Sequence, residues 1–290
     1  MRKVIVTGGC GFIGSHLVNY LINKEIEVHI IDKNPTNINP KAILHPFDIS
    51  KPLGIYENIF NKTDVVFHLA AETSVQESIE NPHLYHDTNV NGTLNMLFWA
   101  SKAKVKKFIF SSSSAVYGEP HYTPIDENHP KNPLSPYALS KSIGEQYCAL
   151  YSKLYGLSTV CLRYFNAYGD RMKDHGAYRS VISIFKEQLN NNKPLNIVND
   201  GEQKRDFVHV DDIVQANILS IFSNINHAIF NVGTEKGYSV NEIADMFGGE
   251  KKYGETRIEP RFSISDSTLI RNKLEWAPKG NLDIFINKIK

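Results

Sequence analysis

The sequence predicts an α/β fold, a doubly wound parallel sheet with a smaller C-terminal lobe. The first observation is a set of short, nearly continuous apolar runs, which are typical of strands covered on both faces. These runs are Val4–Thr7, Val28–Ile31, Val65–Leu69, Phe108–Ser111 and Thr159–Arg163. The second is that amphipathic segments of helix length lie between them, including Phe12–Asn23, Pro82–Lys102 and Pro136–Tyr155. Strands that alternate with helices in this way form parallel sheets.

The predicted C-terminal lobe begins where this alternation loosens, after Asn166. We expect residues 1–165 to form the sheet domain. Residues 166–290 are expected to form a lobe over the carboxyl edge of the sheet, where ligands of such sheets bind. Apolar stretches within 208–232 are able to pack back on the sheet, so the boundary is soft.

The composition is that of an ordinary globular protein. Of the 290 residues, 41% are hydrophobic and 22% are charged, and the formal net charge is +1. This balance gives no reason to expect nucleic acid or an acidic membrane as a partner. Cys10, Cys148 and Cys161 have neither metal-ligand nor disulfide spacing, so we expect buried thiols and no metal. No apolar run approaches membrane-spanning length, and a strand starting near residue 3 leaves no room for a signal peptide, which predicts a cytoplasmic protein.

The segment TGGCGFIGSH links the first strand to the first helix. In this pattern Gly8 permits a tight turn, Gly11 lets the backbone approach a pyrophosphate, and Gly14 allows the helix to pack closely on the strand. The helix N-terminus, which includes Phe12 and Ile13, offers free N–H groups to phosphate. The flanking strand and helix make this motif a prediction of a Rossmann-type dinucleotide site.

Acidic residues after the next two strands indicate which dinucleotide binds. Asp32 ends the second strand, where a carboxylate accepts hydrogen bonds from the adenosine ribose and repels a 2′-phosphate, so NAD is favoured over NADP. Lys33 beside it could offset that repulsion, which leaves NADP open. Asp48 and Ile49 follow a short third segment and are expected to hold the adenine.

Tyr137 and Lys141 form the candidate catalytic pair. They lie four residues apart at the start of a predicted helix and share one face of it. A neighbouring ammonium favours the deprotonated phenolate, which can act as a general base toward a sugar hydroxyl. The same spacing occurs at Tyr20 and Lys24, but that copy lies at the far end of the first helix, away from the carboxyl ends of the strands.

Two segments at strand ends support the Tyr137 assignment. SSSSAVYG begins at Ser111, at the end of the fourth strand, and offers hydroxyl groups to the same substrate oxygen. HLAA ends the third strand with small residues that let the backbone close on a cofactor, namely Leu69, Ala70 and Ala71. His68 is expected to be a packed residue rather than a catalyst.

Taken in order, TGGCGFIGSH, Asp32, FDI, HLAA, NVNGT, SSSSAVYG, YALSK, RYFNAYG and RDFVHVDD resemble the extended short-chain dehydrogenase/reductase superfamily. The likeness is to its NAD-dependent nucleotide-sugar epimerase/dehydratase branch and runs over nearly the whole chain. It implies that Ser113 is the catalytic serine. It further implies cofactor contacts at Asn89, Ser111 and Phe165, and substrate contacts at Asn166, Val198 and Arg205.

The C-terminal stretch departs from the family pattern. Arg257 best matches a second phosphate-binding arginine, with Glu259 near the ribose, and Arg261 is its rival. Asn199 replaces a usual glycine. The acidic residues that dehydratases carry after the fourth strand are absent from Ser111–Ser114, which disfavours dehydration.

The resemblance implies a 4-epimerase that interconverts UDP-glucose and UDP-galactose through a transient 4-keto sugar, with NAD staying bound. Alternatives are epimerisation of UDP-N-acetylhexosamines, another nucleotide-sugar reductase or decarboxylase, and a non-catalytic NAD-binding regulator. The expected partners are a UDP-hexose substrate and a second copy of the chain, with helices 82–102 and 136–155 forming a homodimer contact.

Overall fold

The computed structural model describes residues 1–36, 38–51, 56–172, 180–255 and 259–290. Within these residues the strands are β1 (Lys3–Thr7), β2 (Glu27–Ile31), β3 (Ile43–His45), β4 (Val65–His68), β5 (Lys107–Ser113), β6 (Thr159–Tyr164), β7 (Asn166–Tyr168), β8 (Leu195–Val198), β9 (Lys204–His209), β10 (His227–Val232), β11 (Gly237–Ser239), β12 (Lys251–Glu255) and β13 (Phe262–Ser263). The helices are α1 (Phe12–Asn23), α2 (Tyr56–Phe60), α3 (Val75–Glu80), α4 (Pro82–Tyr85), α5 (Gly92–Lys102), α6 (Pro136–Tyr155), α7 (Val181–Asn190), α8 (Val210–Ile221), α9 (Val240–Phe247), α10 (Thr268–Leu274) and α11 (Leu282–Ile289).

Seven parallel strands form the central sheet, in the order β10-β6-β5-β4-β1-β2-β3. β1 is an interior strand, with Val4 opposite Val28 of β2 on one side and Val65 of β4 on the other. The chain proceeds from β1 toward β3 in one direction and from β4 toward β10 in the other. Such a reversal opens a crevice at the carboxyl ends of the strands, and this is where ligands bind.

Helices cover both faces of this sheet, because its central strands are apolar on both sides. On one face Leu17 of α1 and Ile213 of α8 belong to the same buried cluster as Val4. On the other face Met96 of α5 and Phe108 belong to a second cluster. Burying one such side chain stabilises the fold by about 1.5–3 kcal/mol. The predicted doubly wound α/β fold is therefore confirmed.

One predicted helix differs in detail from the structure. The segment 82–102 is helical throughout, but a π-helical turn over His86–Asn91 separates α4 from α5. Within this turn, the side chain of Asn89 bonds the backbone of Glu72 in the loop after β4. The periodicity of apolar residues predicts a helix, but it does not distinguish one turn of π-helix from the α-helix around it.

The later part of the chain builds a third apolar cluster, which lies beside the carboxyl edge of the sheet. Its members include Phe185 of α7, Leu195 of β8, Phe247 of α9 and Phe285 of α11. However, β10 pairs with β6 and is the edge strand of the central sheet. The division into 1–165 and 166–290 therefore remains a prediction.

The longest helix of the described residues is α6, with 20 residues, and its buried face includes Lys141 and Glu145. No helix in those parts of the chain is both long and apolar enough to cross a membrane.

Candidate active site

A cleft of about 830 Å³ opens at the carboxyl edge of the sheet. Its volume is typical of small-ligand sites. One wall is formed by residues at the ends of β1, β2, β4, β5 and β6, and the other by residues of α7, β8, β9 and β11. The predicted site residues that line it are Gly8, Gly11, Phe12, Ile13, Gly14, Asp32, Lys33, Asp48, Ile49, Leu69, Ala70, Ala71, Ser111, Ser113, Tyr137, Lys141, Phe165, Asn166, Val198 and Arg205.

The glycine loop has no room for side chains at two of its positions. Gly8 has a φ of +68°, and a Cβ atom there would lie 2.6 Å from the backbone nitrogen of Ala70. A Cβ atom at Gly14 would collide with the carbonyl oxygen of Gly8. Gly11 is the N-cap of α1 and makes no side-chain cap. Gly11, Phe12 and Ile13 line the cleft, so the N-terminus of α1 lies at its wall, which fits a dinucleotide pyrophosphate.

Asp32 is fixed at the end of β2 by two backbone N–H groups. Its Oδ2 accepts a hydrogen bond from Cys10 N (3.0 Å) and its Oδ1 accepts one from Asn34 N (2.9 Å). The neighbouring ammonium of Lys33 is 2.6 Å from the carboxylate of Glu72, which follows β4. Each Asp32 oxygen keeps capacity to accept a further bond, as two ribose hydroxyl groups require.

The third strand leads into the predicted adenine-binding pair. Asp48 accepts a hydrogen bond at Oδ1 from Ser50 N (2.9 Å), and Ile49 is buried. Phe47, which precedes this pair, also lines the cleft. This end of the cleft therefore combines a carboxylate with apolar side chains.

The candidate catalytic helix is α6, and its start is well defined. Ser135 caps it by accepting a hydrogen bond from Ala138 N (3.1 Å), and Pro136 occupies the first turn. Tyr137 lies in that first turn and Lys141 one turn later, so both side chains are on the face that meets the cleft. The Lys141 Nζ atom lies 6.0 Å from the centroid of the Tyr137 ring.

Lys141 is held in place by β5. Its Nζ donates a hydrogen bond to the carbonyl oxygen of Ser111 (2.9 Å). Burial lowers the pKa of Lys141 to about 8. Ser113, at the end of the same strand, accepts a hydrogen bond at Oγ from Ala115 N (3.1 Å), and its hydroxyl hydrogen is left to donate elsewhere. The structure thus brings Ser113, Tyr137 and Lys141 to one cleft wall.

The alternative tyrosine–lysine pair lies elsewhere. Tyr20 is exposed, Lys24 follows the last residue of α1, and neither lines the cleft in the described residues.

His68 lies beneath the cleft as a packed residue. Its Nδ1 is 2.7 Å from the Thr7 hydroxyl and its Nε2 is 2.9 Å from the Thr93 hydroxyl. Thr93 donates its own hydrogen to the carbonyl oxygen of Asn89, so it accepts from Nε2, and Thr7 donates to Nδ1. Burial, with a smaller effect of the Lys141 charge, lowers the pKa of His68 to about 3. A neutral His68 therefore supports the loop that carries Leu69 without entering the cleft.

Asn89 lies behind the cleft wall and is not among the residues that line it. Its Oδ1 accepts a hydrogen bond from Glu72 N (2.9 Å), and its Nδ2 donates to Glu72 O and to Ser140 Oγ (both 3.0 Å). It therefore links the loop after β4 to α6. The cofactor contact implied for Asn89 stays a prediction.

The opposite end of the cleft carries the predicted substrate residues. Asn166 donates a hydrogen bond from Nδ2 to the carbonyl oxygen of Asp206 (2.9 Å). Arg205 donates from Nη2 to Glu259 (2.9 Å) and from Nη1 to the carbonyl oxygen of Lys204 (3.0 Å). Arg205 is thus paired with Glu259, and a phosphate would compete with that carboxylate for the guanidinium group.

The two rival arginines differ in what the structure describes. Arg257 lies outside the described residues, so its assignment stays a prediction. Arg261 pairs with Asp200 at 2.7 Å on the surface and is not among the described residues that line the cleft.

A comparison with protein families decides the classification of this chain. Residues 4–233 match the model described as the NAD dependent epimerase/dehydratase family. The chain belongs to this family. The match covers the glycine loop, Asp32, the Ser113–Tyr137–Lys141 group and Arg205.

Relatives of the whole chain carry epimerase names. A protein of Methanocaldococcus jannaschii, whose assignment as a UDP-glucose 4-epimerase is provisional, is 43% identical over 99% of this chain and 96% of its own length. The UDP-glucose 4-epimerase of Lactobacillus helveticus is 34% identical over 96% of this chain and 92% of its own length.

Solved structures superpose on nearly the whole chain. That of the Thermotoga maritima UDP-glucose 4-epimerase with UDP-glucose has a TM-score of 0.93 at 36% identity, covering 98% of this chain and 96% of the other. That of the Methanobrevibacter ruminantium UDP-N-acetylglucosamine 4-epimerase with UDP-N-acetylmuramic acid has a TM-score of 0.93 at 34% identity, covering 99% and 96%.

Part of this family site was missed from the sequence. The wall opposite the sheet includes apolar side chains, namely Ile184 and Phe185 of α7, Phe207 of β9 and Tyr238 of β11. The amphipathic pattern of α7 indicates a helix. It does not indicate that this helix lines the cleft. Gln203 was missed as well; it lines the cleft and bonds Glu259 through Nε2 (3.0 Å).

Proposed function

We propose that this protein is a 4-epimerase of UDP-hexoses that interconverts UDP-glucose and UDP-galactose with a resident NAD. The observation that carries the proposal is the position of Ser113, Tyr137 and Lys141 on the same wall of the cleft as the glycine loop. When bound, NAD supplies the acceptor that takes the hydrogen of C4 with its electron pair and returns it to the opposite face of the sugar.

Tyr137 acts as the general base in this proposal. It removes the proton of the C4 hydroxyl as the C4–H bond breaks, which leaves a 4-keto sugar, and it returns the proton when C4 is reduced again. The buried ammonium of Lys141 stabilises the Tyr137 phenolate. Ser113 donates a hydrogen bond to the same oxygen. Such positioned proton transfer contributes roughly 10²–10⁴-fold to rate.

The substrate's diphosphate is assigned to the Arg205 end of the cleft. An arginine fork matches phosphate geometry, and Asn166 and Val198 flank the same region. Arg257 is proposed as a second phosphate ligand on the basis of the family pattern. Glu259, which holds Arg205 at 2.9 Å, would exchange this contact for a substrate hydroxyl.

Other activities of the family are less well supported. Water elimination needs acidic groups beside the sugar, and the segment Ser111–Ser114 supplies hydroxyl groups only. A non-catalytic NAD-binding regulator does not need a buried lysine next to a tyrosine in the cleft. Epimerisation of UDP-N-acetylhexosamines is the second candidate, because the M. ruminantium enzyme superposes as closely as the T. maritima one.

We further propose a homodimer formed through α5 and α6. Large apolar side chains are exposed on the outer faces of these helices, namely Phe98, Leu139, Leu150 and Leu154. An apolar patch of this kind is typical of a protein interface. A second copy would cover it, and sedimentation equilibrium tests this; a monomer at micromolar concentration would contradict the proposal.

We also propose a cytoplasmic location, since all three cysteines are free and buried.

The test of function mixes the purified protein with UDP-glucose, UDP-galactose and their N-acetylated analogues, without added cofactor. Proton NMR then follows the sugars. Interconversion of the plain hexoses is expected, and the Tyr137→Phe variant, which keeps the ring, is the matched control. Faster conversion of the N-acetylated pair would favour the second candidate, and no conversion of either pair would overturn the proposal.

A further inference from the structure

A chain of three polar side chains leads from the cleft into the core. Ser111 lines the cleft, and its Oγ is 3.1 Å from the Tyr164 hydroxyl oxygen. Asn217 of α8 donates from Nδ2 to the same Tyr164 oxygen (2.8 Å). Asn217 is fully buried, and Tyr164 and Ser111 are 8% and 7% exposed. The chain therefore runs from α8 through β6 to the end of β5.

The orientation of Asn217 is fixed by its partners. Its Nδ2 also donates to the carbonyl oxygen of Ile213 (2.8 Å), so the amide nitrogen faces two oxygen atoms, and Ile213 O can only accept. Its Oδ1 is buried and has no partner among the described residues. The reversed amide would place an oxygen against the Ile213 carbonyl oxygen.

This orientation sets the direction of every hydrogen bond in the chain. Tyr164 accepts from Asn217, so its own hydrogen is directed to Ser111, the other hydroxyl within reach. Burial raises the pKa of Tyr164 to about 12, so the phenol keeps this hydrogen. Ser111 Oγ accepts from Tyr164, and its hydrogen is left to point away from Tyr164, toward the cleft.

The unpartnered Oδ1 makes Asn217 an unfavourable choice for stability. A buried acceptor without a partner costs free energy, whereas a leucine at this position would carry no such acceptor, although it would lose the two bonds that Nδ2 donates. The packing of α8 on the sheet therefore does not explain the asparagine. Its contact with Tyr164 does.

We propose that Asn217 and Tyr164 are positioning residues that make the Ser111 hydroxyl a fixed donor to the carboxamide oxygen of nicotinamide. Ser111 lies at the catalytic end of the cleft, since its carbonyl oxygen receives the Lys141 ammonium at 2.9 Å. A nicotinamide ring carries one carboxamide oxygen, which is able to accept a hydrogen bond from such a donor. The inference rests on the proposed NAD-dependent function and adds a role for Tyr164, which lines the cleft, and for Asn217, which in the described residues lies behind it.

The test uses the Asn217→Leu and Tyr164→Phe variants. Ser220→Ala is the control, since Ser220 is an equally buried polar residue of α8 whose hydroxyl donates to the carbonyl oxygen of Ala216 (2.7 Å). Protein stripped of nucleotide is titrated with NAD and with thionicotinamide adenine dinucleotide, whose thiocarbonyl is a weaker acceptor. Binding is followed by calorimetry and folding by thermal unfolding.

The wild type and Ser220→Ala are expected to bind NAD about tenfold more tightly than the thio analogue. This difference corresponds to the loss of roughly one directed hydrogen bond. Asn217→Leu and Tyr164→Phe should lose this discrimination while each still unfolds in one cooperative transition above the temperature of the titration. Equal discrimination in all four proteins would overturn the inference alone. A wild type that binds no dinucleotide would overturn the proposed function with it.

Discussion

The ammonium group of Lys33 and the carboxylate of Glu72 form an ion pair of 2.6 Å between the loops that follow β2 and β4. Lys33 is the neighbour of Asp32, the residue expected to receive the adenosine ribose. A free lysine there would attract the 2′-phosphate of NADP and so weaken the preference for NAD. Glu72 engages this lysine, so the repulsion from Asp32 is left to select NAD.

We expect the Glu72→Gln substitution to raise the affinity for NADP relative to NAD by about threefold, the size expected for a partly exposed ion pair. The side chains of Lys33 and Glu72 are 38% and 25% exposed, so a larger effect is not expected. Calorimetric titration of both dinucleotides measures the ratio. Glu80→Gln is the control, and an unchanged ratio in Glu72→Gln would show that Lys33 plays no part in the choice.

Substitutions of two glycines in the phosphate loop are expected to have different effects, one on stability and one on NAD binding. In Gly14→Ala the new Cβ would collide with the Gly8 carbonyl oxygen, so the free energy of unfolding should fall by about 2 kcal/mol or more. In Gly11→Ala the Cβ would meet only that oxygen, at 3.3 Å, so the fold should be retained. The methyl group of the new alanine should instead hinder the binding of the NAD pyrophosphate.

Thermal unfolding without ligand and NAD binding separate the two variants. Gly11→Ala should melt close to the wild type and bind NAD about tenfold or more weakly. Normal NAD binding by Gly11→Ala would mean that the pyrophosphate does not lie over this residue.

Lys141 links catalysis to pH-dependent stability. Its pKa is lowered from 10.5 to about 8 by burial, so the folded protein binds this proton less tightly than the unfolded chain does. The charged group therefore costs stability below about pH 8, and the cost disappears as the pH rises toward 10.5. The difference in unfolding free energy, wild type minus Lys141→Met, should rise by up to about 3 kcal/mol from pH 7 to pH 10.

Denaturant unfolding of both proteins at pH 7 and pH 10 measures this difference. Epimerisation by Lys141→Met should be slower by roughly 10² or more, because the Tyr137 phenolate loses its neighbouring charge. The same stability difference at both pH values would contradict the assignment of a depressed lysine pKa.

The fold and the part of the cleft formed at the strand ends could be predicted because they follow from local patterns. Apolar runs and amphipathic segments report strands and helices, and the glycine loop carries its own geometry. Contacts between distant elements could not be predicted in this way. The buried pair of Glu145 on α6 and Arg163 on β6, 2.8 Å apart, joins residues whose proximity depends on how α6 packs on the sheet.

The same limit applies to individual site residues. Asn89 lies in a family motif, yet the π-helical turn directs it to Glu72 and Ser140 rather than to the cleft. Asn217 has no sequence signal at all, since an asparagine in an amphipathic helix is ordinary. Its significance depends on a partner 53 residues away in the chain.

The central claim is that C4 of the sugar is oxidised and reduced again inside one protein molecule. The most direct test supplies UDP-glucose carrying deuterium at C4, in ordinary water and without added cofactor, and measures the isotope in the UDP-galactose formed by NMR and mass spectrometry. Full retention of deuterium at C4 is expected, because the hydrogen leaves and returns without meeting solvent. Loss of the deuterium to water during conversion would contradict this mechanism.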